Sequence, residues 1–186
     1  MRGKTMENEI VAQPQTPMEI IKQAISSGAN LDNLEKLLTL QERGEANEAK
    51  KHYHSAMSQV QNKIGVVIKN KINPQTKSRY ADLESVITSI MPIYSSLGFS
   101  VVFHESEMAK PGYIRIIADV THQLGHRESY HLDLPLDGVG LKGNANMTPI
   151  QAVCSTTAYG RRYLLFMIFN IPTGDDKDGN RATATK

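Results

Sequence analysis

The sequence predicts an α+β fold in which a largely antiparallel β-meander packs with helices. Three short segments rich in β-branched and aromatic residues follow one another between residues 99 and 136, joined by brief turn-forming loops. Segments with helical spacing of apolar residues lie before and after this run and do not alternate with single strands. That order favours an antiparallel sheet over the parallel sheet of an α/β protein.

Composition indicates an ordinary globular protein. The chain has 186 residues, of which 40% are hydrophobic and 22% are charged. The one cysteine, Cys154, excludes an intramolecular disulfide and fits a reducing compartment. The longest apolar run, 163–169, is far shorter than the ~20 residues of a membrane span. The polar N-terminus has no apolar signal-peptide region, so we expect a soluble cytoplasmic protein.

The first third of the chain is predicted to be helical. Pro17 opens a short helix that Gly28 closes, because proline is favoured at the first helical position and glycine just after the last. A longer helix follows to about residue 62, with an expected break near Gly44. The capping residue of this second helix is either Asn30 or Asp32.

The next segment is predicted to form a strand, a turn and a helix. The β-branched run 64–69 (IGVVIK) indicates a strand, and 73–78 (NPQTKS) indicates a turn built on an Asn–Pro pair. Asp82 caps a helix that extends to Gly98 and that Pro92 should kink. Three strands with hairpin-like connections follow, over 99–107, 113–122 and 126–136.

A glycine-rich loop and a last helix complete the predicted domain. The loop, residues 137–147, contains GVGLKG, a formal match to the dinucleotide fingerprint. Because no helix starts at its third glycine and no parallel strand follows, a plain loop is favoured and no cofactor is expected. A capping box with proline opens the last helix at Thr148. The expected organisation is a disordered 1–16, one domain over 17–171 (helices 17–62, α+β core 63–171) and a polar acidic tail over 172–186.

The last helix carries a glycine and two arginines in its middle. At 100° per residue, Gly160 belongs to an apolar stripe that we expect to pack, with the glycine admitting a close backbone. Arg162 falls on the opposite side and Arg161 flanks the stripe, so at least one arginine faces outward, where it can bind phosphate or stack on a base. The alternative is an ion pair with Glu105 or Asp119 of the sheet. The other members of the predicted stripe are Val153, Thr157, Leu164 and Met167.

Positive charge is concentrated in one segment. Residues 61–81 carry five basic side chains and no acidic one, a local charge of +5, while the rest of the chain carries −3 because the total is +2. Basic residues with an aromatic on an exposed strand suit phosphate contact and base stacking. A solubilising strand edge is an equal alternative. The basic residues are Lys63, Lys69, Lys71, Lys77 and Arg79, and Tyr80 follows them.

Neither the histidines nor the C-terminal aspartates predict a metal site. The six histidines lack the spacing of a ligand pair, and solvated or ion-paired histidines are favoured. The aspartates at 175, 176 and 178 suggest a calcium loop, but an EF-hand requires glycine at the sixth position, where Arg181 stands. A solvated tail is favoured, and a two-carboxylate nuclease centre would need partners elsewhere in the chain.

Four segments carry a resemblance to a known family. They are YADLESV (80–86), MPIYSSLGFSV (91–101), TPIQAVCSTTAYGRRYLL (148–165) and DDKDGN (175–180). In this order, across about residues 45–180, they resemble the ERF (essential recombination function) family of single-strand annealing proteins, which are mostly encoded by bacteriophages and prophages. The family usually shows a TYARRY-like stretch, which in this chain contains a glycine in place of an alanine, at Gly160.

The resemblance implies a core related to other phage annealing proteins and an activity that is not enzymatic. It implies ATP-independent binding of single-stranded DNA and pairing of complementary strands in homologous recombination and DNA repair. It also implies a homo-oligomer, either a ring or a helical filament, in the cytoplasm of a bacterial host and away from membranes. A partner exonuclease or a host single-strand binding protein is a candidate partner.

Local chemistry then predicts which residues contact DNA. One side of the expected groove is the basic segment, with Lys69, Lys71, Lys77, Arg79 and Tyr80. The other side is the last helix, with Tyr159, Arg161 and Arg162, and Lys142 lies on the loop between the two sides. The alternative functions are a metal-dependent nuclease, which would degrade DNA with Mg²⁺, and a non-enzymatic structural or assembly protein, which would oligomerise without binding DNA.

Overall fold

Four helices and two antiparallel sheets make up the described part of the chain, which confirms the α+β class. The computed structural model describes residues 16–28, 30–73, 77–106, 110–136 and 148–172. Residues 1–15 of the predicted disordered N-terminus (1–16), the loop 137–147 with Lys142, and residues 173–186 of the predicted tail (172–186) lie outside these ranges.

Residue contacts divide the chain into two units, 1–48 and 49–186. The first contains α1, Pro17–Ser26, and the N-terminal part of α2, Leu31–Lys63. The single domain expected over 17–171 stays a prediction. The second unit contains the rest of α2 and β1 (Lys71–Ile72), β2 (Arg79–Tyr80), α3 (Leu83–Ser96), β3 (Phe99–Ser106), β4 (Tyr113–His122), β5 (Arg127–Pro135) and α4 (Pro149–Phe169).

The two N-terminal helices begin where the sequence predicts, but the second has no break. Thr16 caps α1 in a capping box with Glu19. Asn30 precedes α2, and its Oδ1 accepts a hydrogen bond at 2.6 Å from the backbone N–H of Asp32, so asparagine is the cap. The helix runs unbroken through Gly44. The expected break is wrong because one exposed glycine costs only about 1 kcal/mol relative to alanine, too little to end a helix of 33 residues.

Residues 64–70 do not form the predicted strand. Within them only Val67 forms a bridge, and the two buried side chains, Ile64 and Val67, are three positions apart. A half-buried strand would bury every second residue. The segment is instead attached to the start of α3, where the Asn70 side-chain amide donates a hydrogen bond to Ser85 Oγ at 2.7 Å.

The basic segment ends in a small hairpin. Strands β1 and β2 pair antiparallel, with Lys71 opposite Tyr80. The predicted turn lies between them, and the N–H of Asn73 donates to the carbonyl of Ser78 at 2.8 Å across its base. Residues 74–76 of the turn lie outside the described ranges. The first strand of the hairpin therefore begins just after the segment 64–69 that the sequence predicts as a strand.

The three predicted strands form an antiparallel meander in the order β3-β4-β5. Successive side chains of each strand point to opposite faces. On one face the side chains are mostly apolar and at least partly buried, and on the other they are mostly polar. The buried residues of the core face include Phe99, Ile116, Ala118 and Val120.

Asp119 is the buried acid of the polar face. It accepts hydrogen bonds from Ser129 and Arg127, and His104 Nδ1 lies 3.6 Å from its Oδ2. The Ser129 hydrogen bond and the Arg127 pair lower the pKa of Asp119 although burial acts in the opposite direction. This carboxylate therefore links β3, β4 and β5 and stays ionised at neutral pH.

Helix α4 packs on the core face of the sheet, and Gly160 lies at this contact. A Cβ at this position would lie 2.2 Å from Ile116 Cδ1 and 3.0 Å from Leu134 Cδ1. The glycine therefore leaves room for side chains of the sheet. The prediction that another backbone lies close to this position is wrong. The predicted stripe is also rotated, since Met167 is 56% exposed. The buried residues of α4 are Ala152, Thr156, Gly160, Leu164, Leu165, Ile168 and Phe169.

We expect Gly160→Val to destabilise the second unit because its branched side chain would overlap Ile116. Overpacking of this kind costs about 1–3 kcal/mol, so the free energy of unfolding should fall by about 2 kcal/mol. The control is Ala158→Val at an exposed position of the same helix, which should cost less than about 1 kcal/mol. Urea denaturation followed by circular dichroism measures both. Equal midpoint shifts in the two variants would contradict the packing role of Gly160.

Candidate nucleic-acid interface

Arg162 lies among three tyrosines on the outer side of α4. Its guanidinium carbon is 5.0 Å from the ring centroids of Tyr80 and Tyr159 and 5.4 Å from that of Tyr163. Its Nη1 also donates a hydrogen bond to the backbone carbonyl of Ala81 at 3.2 Å. Attraction between the cation and the ring faces, together with this hydrogen bond, fixes the guanidinium. We call Arg162, Tyr80, Tyr159 and Tyr163 the arginine–tyrosine cluster.

Two members of the cluster form an exposed aromatic platform. Tyr159 and Tyr163 are one helical turn apart, and their rings stack with centroids 4.3 Å apart and planes inclined by 27°. Their residues are 45% and 38% exposed, respectively. A planar ligand can therefore stack on them from solvent.

The environment of this platform keeps the Tyr159 phenol neutral. The pKa of Tyr159 is raised to about 12. Burial is the largest cause, followed by the hydrogen bond with Tyr163 and the charge of the Tyr163 phenol, whereas Arg162 lowers the pKa. A neutral phenol does not repel phosphate. The platform can therefore lie beside a polyanion at neutral pH.

The basic hairpin is adjacent to the cluster because Tyr80 ends β2. Lys77 and Arg79 of the hairpin are exposed. Lys71 Nζ lies 3.8 Å from Asp82 Oδ2 in an exposed ion pair, which contributes little to stability and exchanges easily for another anion. The hairpin thus presents positive charge next to aromatic rings.

The structure brings some predicted DNA contacts together and separates others. Tyr80, Tyr159 and Arg162 meet in the cluster although about 80 positions separate the first from the others. Lys69 is half-buried. Tyr163 was missing from the prediction, although its spacing of four from Tyr159 indicates a shared helical face.

Arg161 lies on another flank of α4, away from the cluster. Its guanidinium carbon is 5.0 Å from the ring centroid of Phe103 on β3. In the described ranges neither arginine forms the ion pair considered as the alternative. Glu105 instead accepts a hydrogen bond from Thr157 Oγ1 at 3.2 Å, and Asp119 is bonded within the sheet.

Of the histidines, His54, His104 and His126 lie beside a carboxylate and His122 is buried, whereas His52 and His131 are exposed. His126 Nε2 lies 3.3 Å from Glu128 Oε1, and His54 Nε2 lies 4.0 Å from the same oxygen. Burial lowers the pKa of His122, which is 4% exposed. Across the described ranges, no cluster of three or more histidine, cysteine or acidic residues could hold a metal ion.

This arrangement defines a class of protein: an α+β protein with an arginine–tyrosine surface beside a basic hairpin, a combination suited to single-stranded nucleic acid. The chain belongs to the ERF superfamily, whose family model matches residues 53–186. This membership suggests a role in phage recombination or single-strand annealing. No curated protein and no solved structure matches the chain. Within the described ranges, each helix is too short or too polar to cross a bilayer.

We expect Tyr163→Phe to lower the pKa of Tyr159 from about 12 toward its ordinary value of 10.0. The change removes a hydrogen bond and a neighbouring titrating group and leaves the ring in place. Because the folded-state pKa is raised, the neutral Tyr159 phenol stabilises the fold fully below pH 10 and loses this effect as the pH rises through about 12. Carbon-13 NMR of ring-labelled tyrosine measures the titration. Tyr113→Phe is the control, and an unchanged pKa in Tyr163→Phe would refute the coupling.

Proposed function

We propose that this protein binds single-stranded DNA and pairs complementary strands without ATP, as an oligomer in phage-type homologous recombination. The arginine–tyrosine cluster beside the basic hairpin, in a chain of the ERF superfamily, is the observation that carries the proposal. In this proposal the protein is not an enzyme and requires no cofactor.

The hairpin supplies contacts to the phosphates. Lys77 and Arg79 are exposed, and Lys71 can exchange its ion pair with Asp82 for a phosphate. Each phosphate contact releases condensed counterions, so this part of the binding is independent of sequence and weakens as salt rises. Such contacts hold the strand by its backbone and leave the bases free.

The cluster supplies contacts to the bases. Stacking of a base on an aromatic side chain contributes about 1–3 kcal/mol and tolerates any sequence, because every base has a π-face. Arg162 uses one of its five N–H donors on Ala81, and the others can reach a phosphate or a base. Stacking uses the faces of the bases and leaves their pairing edges open to a complementary strand.

Self-association suits this weak, repeated mode of binding. A row of linked sites raises the effective concentration of each next contact along the strand, so one subunit needs only modest affinity. Large apolar side chains around the hairpin support a contact between copies. These are Val66, Ile68 and Ile72, which are 60%, 78% and 63% exposed.

We expect Arg162→Ala to weaken binding of a labelled single-stranded oligonucleotide by about tenfold at low salt, equivalent to ~1.4 kcal/mol. The change removes both the cation and the centre around which the tyrosines pack. Fluorescence anisotropy measures the affinity. Arg162→Lys should be intermediate because lysine keeps the charge without the planar fork. Arg43→Ala, an exposed arginine of the first unit, is the matched control, and wild-type affinity in a folded Arg162→Ala would contradict the site.

We also expect the wild-type protein to accelerate the pairing of two complementary oligonucleotides without ATP. Energy transfer between dyes on the two strands measures the rate, and Arg162→Ala should lower it. Adding ATP should change nothing. Shortening of the labelled strands with Mg²⁺ would favour the nuclease alternative, and a rate equal to spontaneous pairing would refute the proposal.

A further inference from the structure

The groove between α4 and β3 differs chemically from the arginine–tyrosine cluster. It is open to solvent and has a volume of about 600 Å³. Apolar side chains of β3 and β4 form part of its wall, and one positive and one negative side chain face it. Among the residues that line the groove are Val101, Phe103, Glu105, Ile116, Thr157 and Arg161.

The positive side of the groove has an unmet hydrogen-bond donor. Arg161 Nε is shielded from solvent and has no hydrogen-bond partner among the described residues. The guanidinium is held with its carbon 5.0 Å from the Phe103 ring centroid. Because Nε lies below the surface, a ligand in the groove would bind through the terminal N–H groups of Arg161, which lines the groove.

The negative side of the groove supplies acceptors at a fixed place. Glu105 is bound by Thr157 Oγ1 at 3.2 Å, and Thr157 lies one helical turn before Arg161 on the same helix. An ionised carboxylate has lone pairs for further donors. Donor and acceptor groups therefore face the same space, with apolar side chains between them.

We propose that this groove binds an unpaired nucleobase of single-stranded DNA, an inference that rests on the proposed function. Every base offers acceptors for Arg161, donors for Glu105 and a flat apolar surface for the wall and the guanidinium. The charges of the groove favour a base over a phosphate as its ligand. Glu105 offsets Arg161 and would repel a phosphate, whereas the hairpin beside the cluster is basic and suits one.

The test compares two labelled oligonucleotides of equal length, one with normal bases and one in which alternate bases are replaced by abasic residues. Both carry the same phosphates. We expect Arg161→Ala to weaken binding of the normal oligonucleotide by about five- to tenfold and to change binding of the abasic one much less. Anisotropy at fixed salt measures both affinities. An equal loss on both oligonucleotides, or no loss on either, would overturn the nucleobase site.

Two conservative variants keep the test valid if Arg161→Ala does not fold. Arg161→Lys keeps the charge without the planar fork, so it should still lose affinity for the normal oligonucleotide. Glu105→Gln keeps the shape and should lose affinity as well. Wild-type affinity in Arg161→Lys, or tighter binding of both oligonucleotides by Glu105→Gln, would indicate a phosphate contact and overturn the inference.

The outcome also separates this inference from the proposed function. If the wild-type protein binds neither oligonucleotide, the proposed function fails and the groove proposal fails with it. If the wild type binds and Arg162→Ala weakens binding while the Arg161 and Glu105 variants bind normally, only the groove proposal fails.

Discussion

The contact between Gly160 and the sheet determines how the other functional features are arranged. With no side chain at this position, α4 approaches Ile116 and Leu134 so closely that a single added carbon would overlap them. This fixes the rotation of the helix about its own axis. Because residues advance by 100° along a helix, the directions of Arg161 and Arg162 follow from this one contact.

The two arginines consequently lie in different chemical surroundings. Arg162 meets Tyr80, the last residue of the hairpin, and the carbonyl of Ala81, the residue after it, so its position depends on a contact that is distant in sequence. Arg161 meets Phe103 and faces a groove that also contains Glu105. One arginine thus belongs to a basic and aromatic surface, and its neighbour belongs to a groove of balanced charge.

Structural features that depend on a few neighbouring residues were predictable from the sequence. The caps at Asp82 and Thr148 depend on local hydrogen bonds, and the three strands of the meander depend on an alternation that one buried face imposes. The packing of Gly160 was predicted from helical spacing, but the angular position of the stripe was not, because spacings of three and four residues fit several neighbouring stripes equally well.

Features that depend on distant contacts were not predictable in the same way. The apolar composition of residues 64–69 resembles a strand, yet Ile64 and Val67 pack in the core with a spacing that no strand has. Tyr80 joins the cluster because the hairpin comes close to α4, and no local pattern in the sequence predicts that it meets Arg162. Helical spacing predicts that Arg161 and Arg162 point in different directions, but it does not predict that β3 brings Phe103 to Arg161.

The proposed nucleobase site and the proposed annealing activity constrain each other. A base whose edge is held by Arg161 and Glu105 cannot pair with a complementary strand, whereas a base stacked on Tyr159 and Tyr163 can. The groove must therefore release its base before pairing, and its open, half-exposed walls suit such weak binding. In a duplex the pairing edges are occupied and the base faces are stacked, so the groove would favour unpaired strands. The platform and hairpin would hold a strand while it pairs.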